Sequence, residues 1–139
     1  MTADELDAFL NRERPARLGA VGTLGRDGSP HVVPVWYRWD GKVVTIWADE
    51  PRIWVQNLLR DGRAAFSVHE EDWPFPAVVL RGRAEVVVGD TPFVREEIRR
   101  ITRRYLSEDG VEAYVAGWAT LQTIVTIYPE RIASWPAAG

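Results

Sequence analysis

His31 and His69 are the only histidines in this chain, and Ser29, Ser67, Ser107 and Ser134 are its only serines. The histidines lack metal-ligand spacing. None of the serines stands in the Gly-x-Ser-x-Gly turn that exposes a hydrolase nucleophile. The absence of cysteine excludes disulfides, thiol nucleophiles, iron–sulfur clusters and cysteine zinc sites together. Glu70, Glu71 and Asp72 read as solvated loop carboxylates. Gly19-x-x-Gly22-x-x-Gly25 lacks both the Gly-x-Gly core and the following helix of a dinucleotide loop. The residues therefore assign no catalytic group and no metal site. Such a chain can still be an enzyme when a cofactor carries the reaction and the protein supplies a slot, orientation and electrostatics.

A slot of that kind needs flat apolar walls for a ring, backbone groups for its edge, and a basic or helix-N-terminal group for phosphate. Three short segments offer those parts. They are Val33-Pro34-Val35-Trp36, Trp47-Ala48 and Pro51-Arg52-Ile53-Trp54, the last at the start of an expected helix.

The elements that must position them follow from pattern. Leu6, Phe9 and Leu10 make one apolar face of a helix over about Asp4–Arg12, with Thr2 and Glu5 at capping-box spacing. Strands are expected at Leu18–Leu24, His31–Trp39 and Lys42–Ala48, with a type I′ hairpin at Asp40-Gly41. Along His31–Trp39, Val33, Val35, Tyr37 and Trp39 share one face, and Val32, Pro34, Trp36 and Arg38 share the other. Both faces carry apolar groups, so both are expected to be covered. A helix over Arg52–Arg60 ends at Asp61-Gly62, with Leu58 and Leu59 as its aliphatic anchors. Strands at Arg63–His69 and Ala77–Val88 follow, the second with a bulge or bend at Gly82. Thr91-Pro92 opens a helix to about Tyr105, Val111–Ala116 is a further short helix, and Leu121–Tyr128 is a closing strand. Three helices and the further short one are too few for a doubly wound sheet, and a small barrel with helices outside fits best.

With 139 residues the chain reads as one domain, 1–139. No apolar run reaches the roughly 18 residues of a membrane span, and the charged N-terminal segment has no apolar signal core. No membrane partner and a cytoplasmic location are the expectation. A net charge of −3 gives no general attraction to nucleic acid, and none is expected as a partner. The charged run from Arg95 to Arg104 reads as a solvent-facing helix surface laced with ion pairs. Lys42 is the only lysine, so positive charge is nearly all guanidinium, which suits phosphate or carboxylate. The seven tryptophans suit a core, an interface or a flat ligand slot.

Taken in order, Gly28-Ser29-Pro30-His31-Val32-Val33-Pro34-Val35-Trp36-Tyr37, the Asp40-Gly41 hairpin, Asn57-Leu58-Leu59-Arg60-Asp61-Gly62-Arg63 and Leu80-Arg81-Gly82-Arg83-Ala84-Glu85 resemble the pyridoxamine 5′-phosphate oxidase-like superfamily. Its members are flavin and deazaflavin oxidoreductases. The resemblance covers roughly residues 5 to 135. It implies a mainly β fold, a six-stranded antiparallel split barrel of the FMN-binding type with flanking helices. It further implies a homodimer with two equivalent cofactor sites, for FMN or the deazaflavin coenzyme F-420, and a small-molecule substrate. The segment matching Val33 to Trp36 would lie along the ring, and the segment from Trp47 to Asn57 would hold the phosphate end. Relatives usually carry a lysine three residues before the position of Asn57, where this chain has Trp54. Arg52, and less directly Arg17 and Arg38, are the candidates to replace that cation. Trp54 itself is expected at the margin of the buried helix face, narrowing the phosphate end. Trp36, Trp73 and Trp118 are candidates for the substrate wall, and solvent or Tyr37 for proton exchange. The pyridoxamine phosphate substrate itself is not expected, because the basic C-terminal residues it needs have no counterpart. The alternative is a non-enzymatic flavin, haem or tetrapyrrole carrier on the same barrel, with His69 as the axial ligand of a haem.

Overall fold

The computed structural model describes residues 1–49, 52–116 and 122–135. Thr2 caps α1 (Ala3–Asn11) with the expected reciprocal bonds to Glu5, and Phe9 and Leu10 carry the helix into the core. Seven strands follow: β1 (Gly19–Leu24), β2 (Pro30–Val35), β3 (Tyr37–Trp39), β4 (Val44–Asp49), β5 (Arg63–His69), β6 (Ala77–Val88) and β7 (Gln122–Trp135). Helix α2 (Ile53–Arg60) lies between β4 and β5, and α3 (Pro92–Thr102) and α4 (Glu108–Ala116) between β6 and β7.

The sheet runs β2-β1-β5-β6-β7-β4-β3, and every pairing is antiparallel. β2 and β3 sit at opposite ends of that order, yet only Trp36 separates them. Two residues' separation spans at most about 7 Å of backbone. The sheet must therefore curl until its edges meet at Trp36, which makes a half-closed barrel. This also explains why seven strands replace the expected six. The segment read as one strand, His31–Trp39, is divided at Trp36, its first half pairing with β1 and its second with β4.

The barrel interior holds Val21, Val35, Tyr37, Ile46, Phe66, Val68, Leu80 and Ile127, closed at its ends by Leu10 of α1 and Val55 of α2. The alternation read from sequence holds in β2 and β3. Val35, Tyr37 and Trp39 are buried, while Val32 stays 66% exposed on the opposite face. Gly19 is required by packing, since a Cβ there would lie 2.3 Å from the Phe66 ring. A second cluster lies outside the barrel, where the α3 stripe Val94, Ile98 and Ile101 packs over Ile124 beside Trp36, Trp47 and Tyr105.

Gly82 marks the expected bulge. The register shifts there so that Gly82 faces Pro129, and a Cβ would stand 2.0 Å from the Tyr128 carbonyl oxygen. Pro129, which has no N–H to donate, is tolerated at this irregularity. The closing strand thus continues past Tyr128 to Trp135, while Leu121 lies outside the described residues.

Other boundaries also move. Trp39 pairs with Val44, so the β3–β4 loop has four residues rather than a two-residue type I′ turn. Asp40 accounts for the widening, because its carboxylate accepts from the N–H groups of both Lys42 and Val43 at 2.8 Å. Helix α3 ends at Thr102, short of Tyr105. In α2, Leu58 is buried but Leu59 is 53% exposed. Trp54 and Val55 take the anchoring role expected of Leu59.

Candidate functional site

A cavity of about 740 Å³ opens where the barrel is split, bounded by β2, the end of β4, the start of α2, and Tyr114 of α4. Its size falls within the usual range for small-molecule sites. Val33, Pro34, Val35, Trp36, Trp47, Ala48, Arg52, Ile53 and Trp54 all line it. Pro51 lies outside the described residues. Asn57 does not line this cavity. It is 4% exposed, donates to the Thr23 hydroxyl at 3.0 Å and accepts from Arg60 at 2.8 Å. Sequence reading missed Leu18, His31 and Tyr114 as lining residues. The i, i+2 spacing of His31 and Val33 on β2 carried a signal for His31, while Tyr114 arrives from a helix far along the chain.

The aromatic wall is built by long-range contacts. Trp36 stacks on Tyr105 with ring centroids 4.8 Å apart and planes 12° from parallel. Tyr114 leans on Trp36 at 5.8 Å and meets Trp47 edge-on at 5.2 Å. The Trp47 indole N–H donates to Gln122 at 2.6 Å. Behind this wall, Arg104 and Tyr105 hold the backbone at the split. The Tyr37 N–H donates to the Tyr105 hydroxyl at 3.3 Å, which itself donates to the Arg17 carbonyl at 2.7 Å. Arg104 donates to the Tyr37 carbonyl, and to those of Leu10 at 2.9 Å and Arg12 at 3.2 Å. Its guanidinium lies 4.5 Å from the Tyr37 ring centroid, a cation–π distance. The N–H and carbonyl of Tyr37, the residue after Trp36, are thus both served by the Arg104-Tyr105 dipeptide, at the division between β2 and β3. Burial pushes the Tyr105 phenol up to about 12, so it stays neutral and can donate at any ordinary pH.

Arg104 is only 6% exposed and Glu97 9%, which corrects the reading of residues 95 to 104 as a purely solvent-facing surface. Arg104 finds carbonyls and aromatic rings inside, and Glu97 pairs with Arg38 at 2.8 Å. Arg95, Arg99, Arg100 and Arg103 do face solvent-side carboxylates, as expected.

The α2 side of the cavity differs in character. Trp54 is 6% exposed and packs into the barrel core while forming part of the cavity wall. Ile53 is 68% exposed. Arg52 is the N-cap residue of α2 and contributes no side-chain cap, while its carbonyl accepts from the Val55 N–H at 3.1 Å. Arg17 and Arg38 are not replacements for the missing lysine. Arg17 pairs with Glu70 at 2.7 Å and donates to the Phe9 carbonyl, and Arg38 is held by Glu97.

Tyr37, Trp73 and His69 stand elsewhere. Tyr37 is fully buried and its hydroxyl donates to the Leu10 carbonyl at 2.6 Å, so it exchanges no proton with a ligand. Trp73 is 79% exposed in the loop before β6, away from the cavity lining. Trp118 lies outside the described residues. His69 ends β5 opposite Ala77 and does not line the cavity. Among the described residues no group of metal-ligating side chains comes together, and no helix is long and apolar enough to cross a membrane.

Comparison with known proteins places this geometry. A search of curated proteins finds no match. Among solved structures, a conserved hypothetical protein from Mycobacterium tuberculosis superposes with a TM-score of 0.78 at 24% identity, over 99% of this chain and 86% of that one. An F420 reductase gives 0.70 at 25% identity, over 91% and 94%. The haem storage protein HutZ from Vibrio cholerae gives 0.71 at 12% identity, over 96% and 92%. The family model for pyridoxamine 5′-phosphate oxidase matches residues 2–136. The split barrel, with its cavity at the division between β2 and β3, thus belongs to the pyridoxamine 5′-phosphate oxidase family.

Proposed function

We propose that the cavity holds a flavin-type cofactor, FMN or the deazaflavin coenzyme F-420, and that the chain is an oxidoreductase acting on a flat organic substrate. The observation that carries this reading is the convergence on one cavity of Val33 to Trp36, Trp47-Ala48 and Arg52 to Trp54. The residues present fit such a group. Trp36 offers a plane fixed from behind by Tyr105. β2 ends the sheet, so alternate N–H and C=O groups on its outer edge are outside the ladder and available to a ring's edge. Arg52 and the start of α2, where the N-cap side chain makes no capping bond, suit a phosphate.

Bound there, the cofactor would supply hydride transfer. The chain's own task is to bind, orient and exclude. Trp36, Trp47 and Tyr114 close one side of the cavity with aromatic surface. With Tyr37 sealed in the core, proton exchange falls to solvent entering the open side.

The chain is further proposed to act as a homodimer. Val32 on the outer face of β2, and Trp73, Phe75, Val79, Ile132 and Trp135 in and around the β6–β7 ends, are all more than a third exposed. A second copy is the commonest cover for such surface. The absorbance spectrum of the purified protein, with sedimentation at micromolar concentration, tests both points. A flavin or deazaflavin band on a two-chain species is expected. A haem Soret band, or a colourless monomer that takes up neither coenzyme, overturns the reading.

A further inference from the structure

A second cleft, of about 370 Å³, adjoins the main cavity and shares His31 and Ile53 with it. One wall is a single stripe of α2. Ile53, Gln56, Asn57 and Arg60 stand at i, i+3, i+4 and i+7 and so lie on one helix face. The other wall is the β1–β2 turn, with Gly25, Arg26 and Ser29. Such a stripe on a helix packed against a sheet is normally apolar. Here only Ile53 is apolar, and it forms the ridge between the two spaces.

The charge of the cleft is also one-sided. Neither Arg26 nor Arg60 forms an ion pair among the described residues. Arg60 is instead aimed across the cleft floor, donating to the Leu24 carbonyl at 3.2 Å and to Asn57 at 2.8 Å. Among the described residues no carboxylate lines the cleft, and Asp27 in the same turn is engaged by the Ser29 N–H at 2.9 Å. Gln56 and Ser29 add neutral donors to the lining. Two guanidiniums and these donors, set past the phosphate end of a ring cavity, form an anion subsite rather than an apolar one.

We propose that this cleft binds the anionic extension of a coenzyme whose ring lies in the main cavity. The ligand class is a flavin-type coenzyme that carries further phosphate or carboxylate groups past its first phosphate. FMN, which ends at that phosphate, leaves the cleft empty. This inference rests on the cofactor reading of the main cavity.

The test compares FMN, FAD and coenzyme F-420 bearing several glutamates, titrated into the wild-type chain and the Arg26→Ala/Arg60→Ala double variant. The expected result is a loss of about tenfold or more in affinity for FAD, if the extension is a second phosphate, or for coenzyme F-420, if it is carboxylate, with FMN changed less than twofold. An equal loss for all three, or no loss for either extended coenzyme, overturns the proposal. If none of the three binds the wild-type chain, the cofactor reading fails separately. Triglutamate and inorganic pyrophosphate alone then decide the cleft, through amide NMR shifts at Gly25 to Ser29. Shifts that vanish in the double variant sustain an anion subsite there, and unshifted amides overturn it.

Discussion

The two sides of the main cavity are built on opposite principles. The aromatic side is assembled from residues far apart in sequence and locked from behind by buried hydrogen bonds, with Arg104 reaching the carbonyls of Tyr37, Leu10 and Arg12. The α2 side is local, one eight-residue helix that sets the buried Trp54 and the 68%-exposed Ile53 on the cavity, with the exposed Arg52 at its start. Rigid walls suit a planar ring, because stacking needs a fixed plane. Exposed cationic walls suit anions, whose charge need not be fully desolvated to be recognised. On the proposed reading, the difference teaches that recognition of a ring would be a property of the fold, and recognition of an anion a property of a few replaceable side chains.

Removing Arg104 is the most severe way to break this comparison. Arg104→Ala takes a donor from the carbonyls of Tyr37, Leu10 and Arg12, of which that of Leu10 keeps the Tyr37 hydroxyl, and roughly 2–4 kcal/mol of folding stability should be lost. Arg60→Ala on the opposite side should cost about 1 kcal/mol or less, since water takes its place. Urea denaturation of the two variants measures the contrast, and similar losses would contradict it.

Arg52→Ala should act mainly on binding. If its guanidinium meets the phosphate, FMN affinity should fall by about 1.5–3 kcal/mol, with folding stability changed by about 1 kcal/mol or less. An unaltered affinity would put the phosphate elsewhere. Tyr105→Phe sharpens the comparison from the aromatic side. It keeps the stack on Trp36 but loses the bonds to Tyr37 and Arg17. A stability loss of about 1–2 kcal/mol is expected, with a smaller loss of coenzyme affinity. A larger effect on binding than on stability would show that the hydroxyl serves the ligand directly.

The smallest effect concerns acid. Arg17 and Arg12 hold the Glu70 carboxyl down to about 2, below its ordinary value of 4.5. A depressed folded-state pKa stabilises above the unfolded value, and that stabilisation is lost as pH falls from about 4.5 toward about 2. Melting temperature in that window should fall less steeply for Glu70→Gln than for the wild type. Parallel curves would show that this clamp between α1 and the loop before β6 contributes nothing to acid sensitivity.

The local part of this architecture was legible in the residues. Capping at Thr2 and Thr91, the alternation through Val33 to Trp39 and the bulge at Gly82 each follow from a short-range rule, and each is present. The segments lining the cavity were legible for the same reason, since two of them end strands and the third opens a helix. What could not be read was long-range. Nothing near Arg104 in sequence marks it as buried, because the carbonyls it serves lie 67 to 94 positions away. Tyr114 joins the cavity only through the packing of α4. Trp36 looked like one more strand residue, and only the order of the sheet shows that the barrel divides there.

The central claim is that the fixed aromatic wall makes this cavity a flavin-type site. Calorimetric titration of FMN and coenzyme F-420 into the wild-type chain and Trp36→Leu, with the fold of the variant checked by circular dichroism, tests it most directly. The account predicts saturable binding of at least one coenzyme, one per chain, weakened about tenfold or more by the loss of the indole plane. Binding of neither coenzyme to the wild type, or undiminished affinity in a folded Trp36→Leu variant, would contradict it.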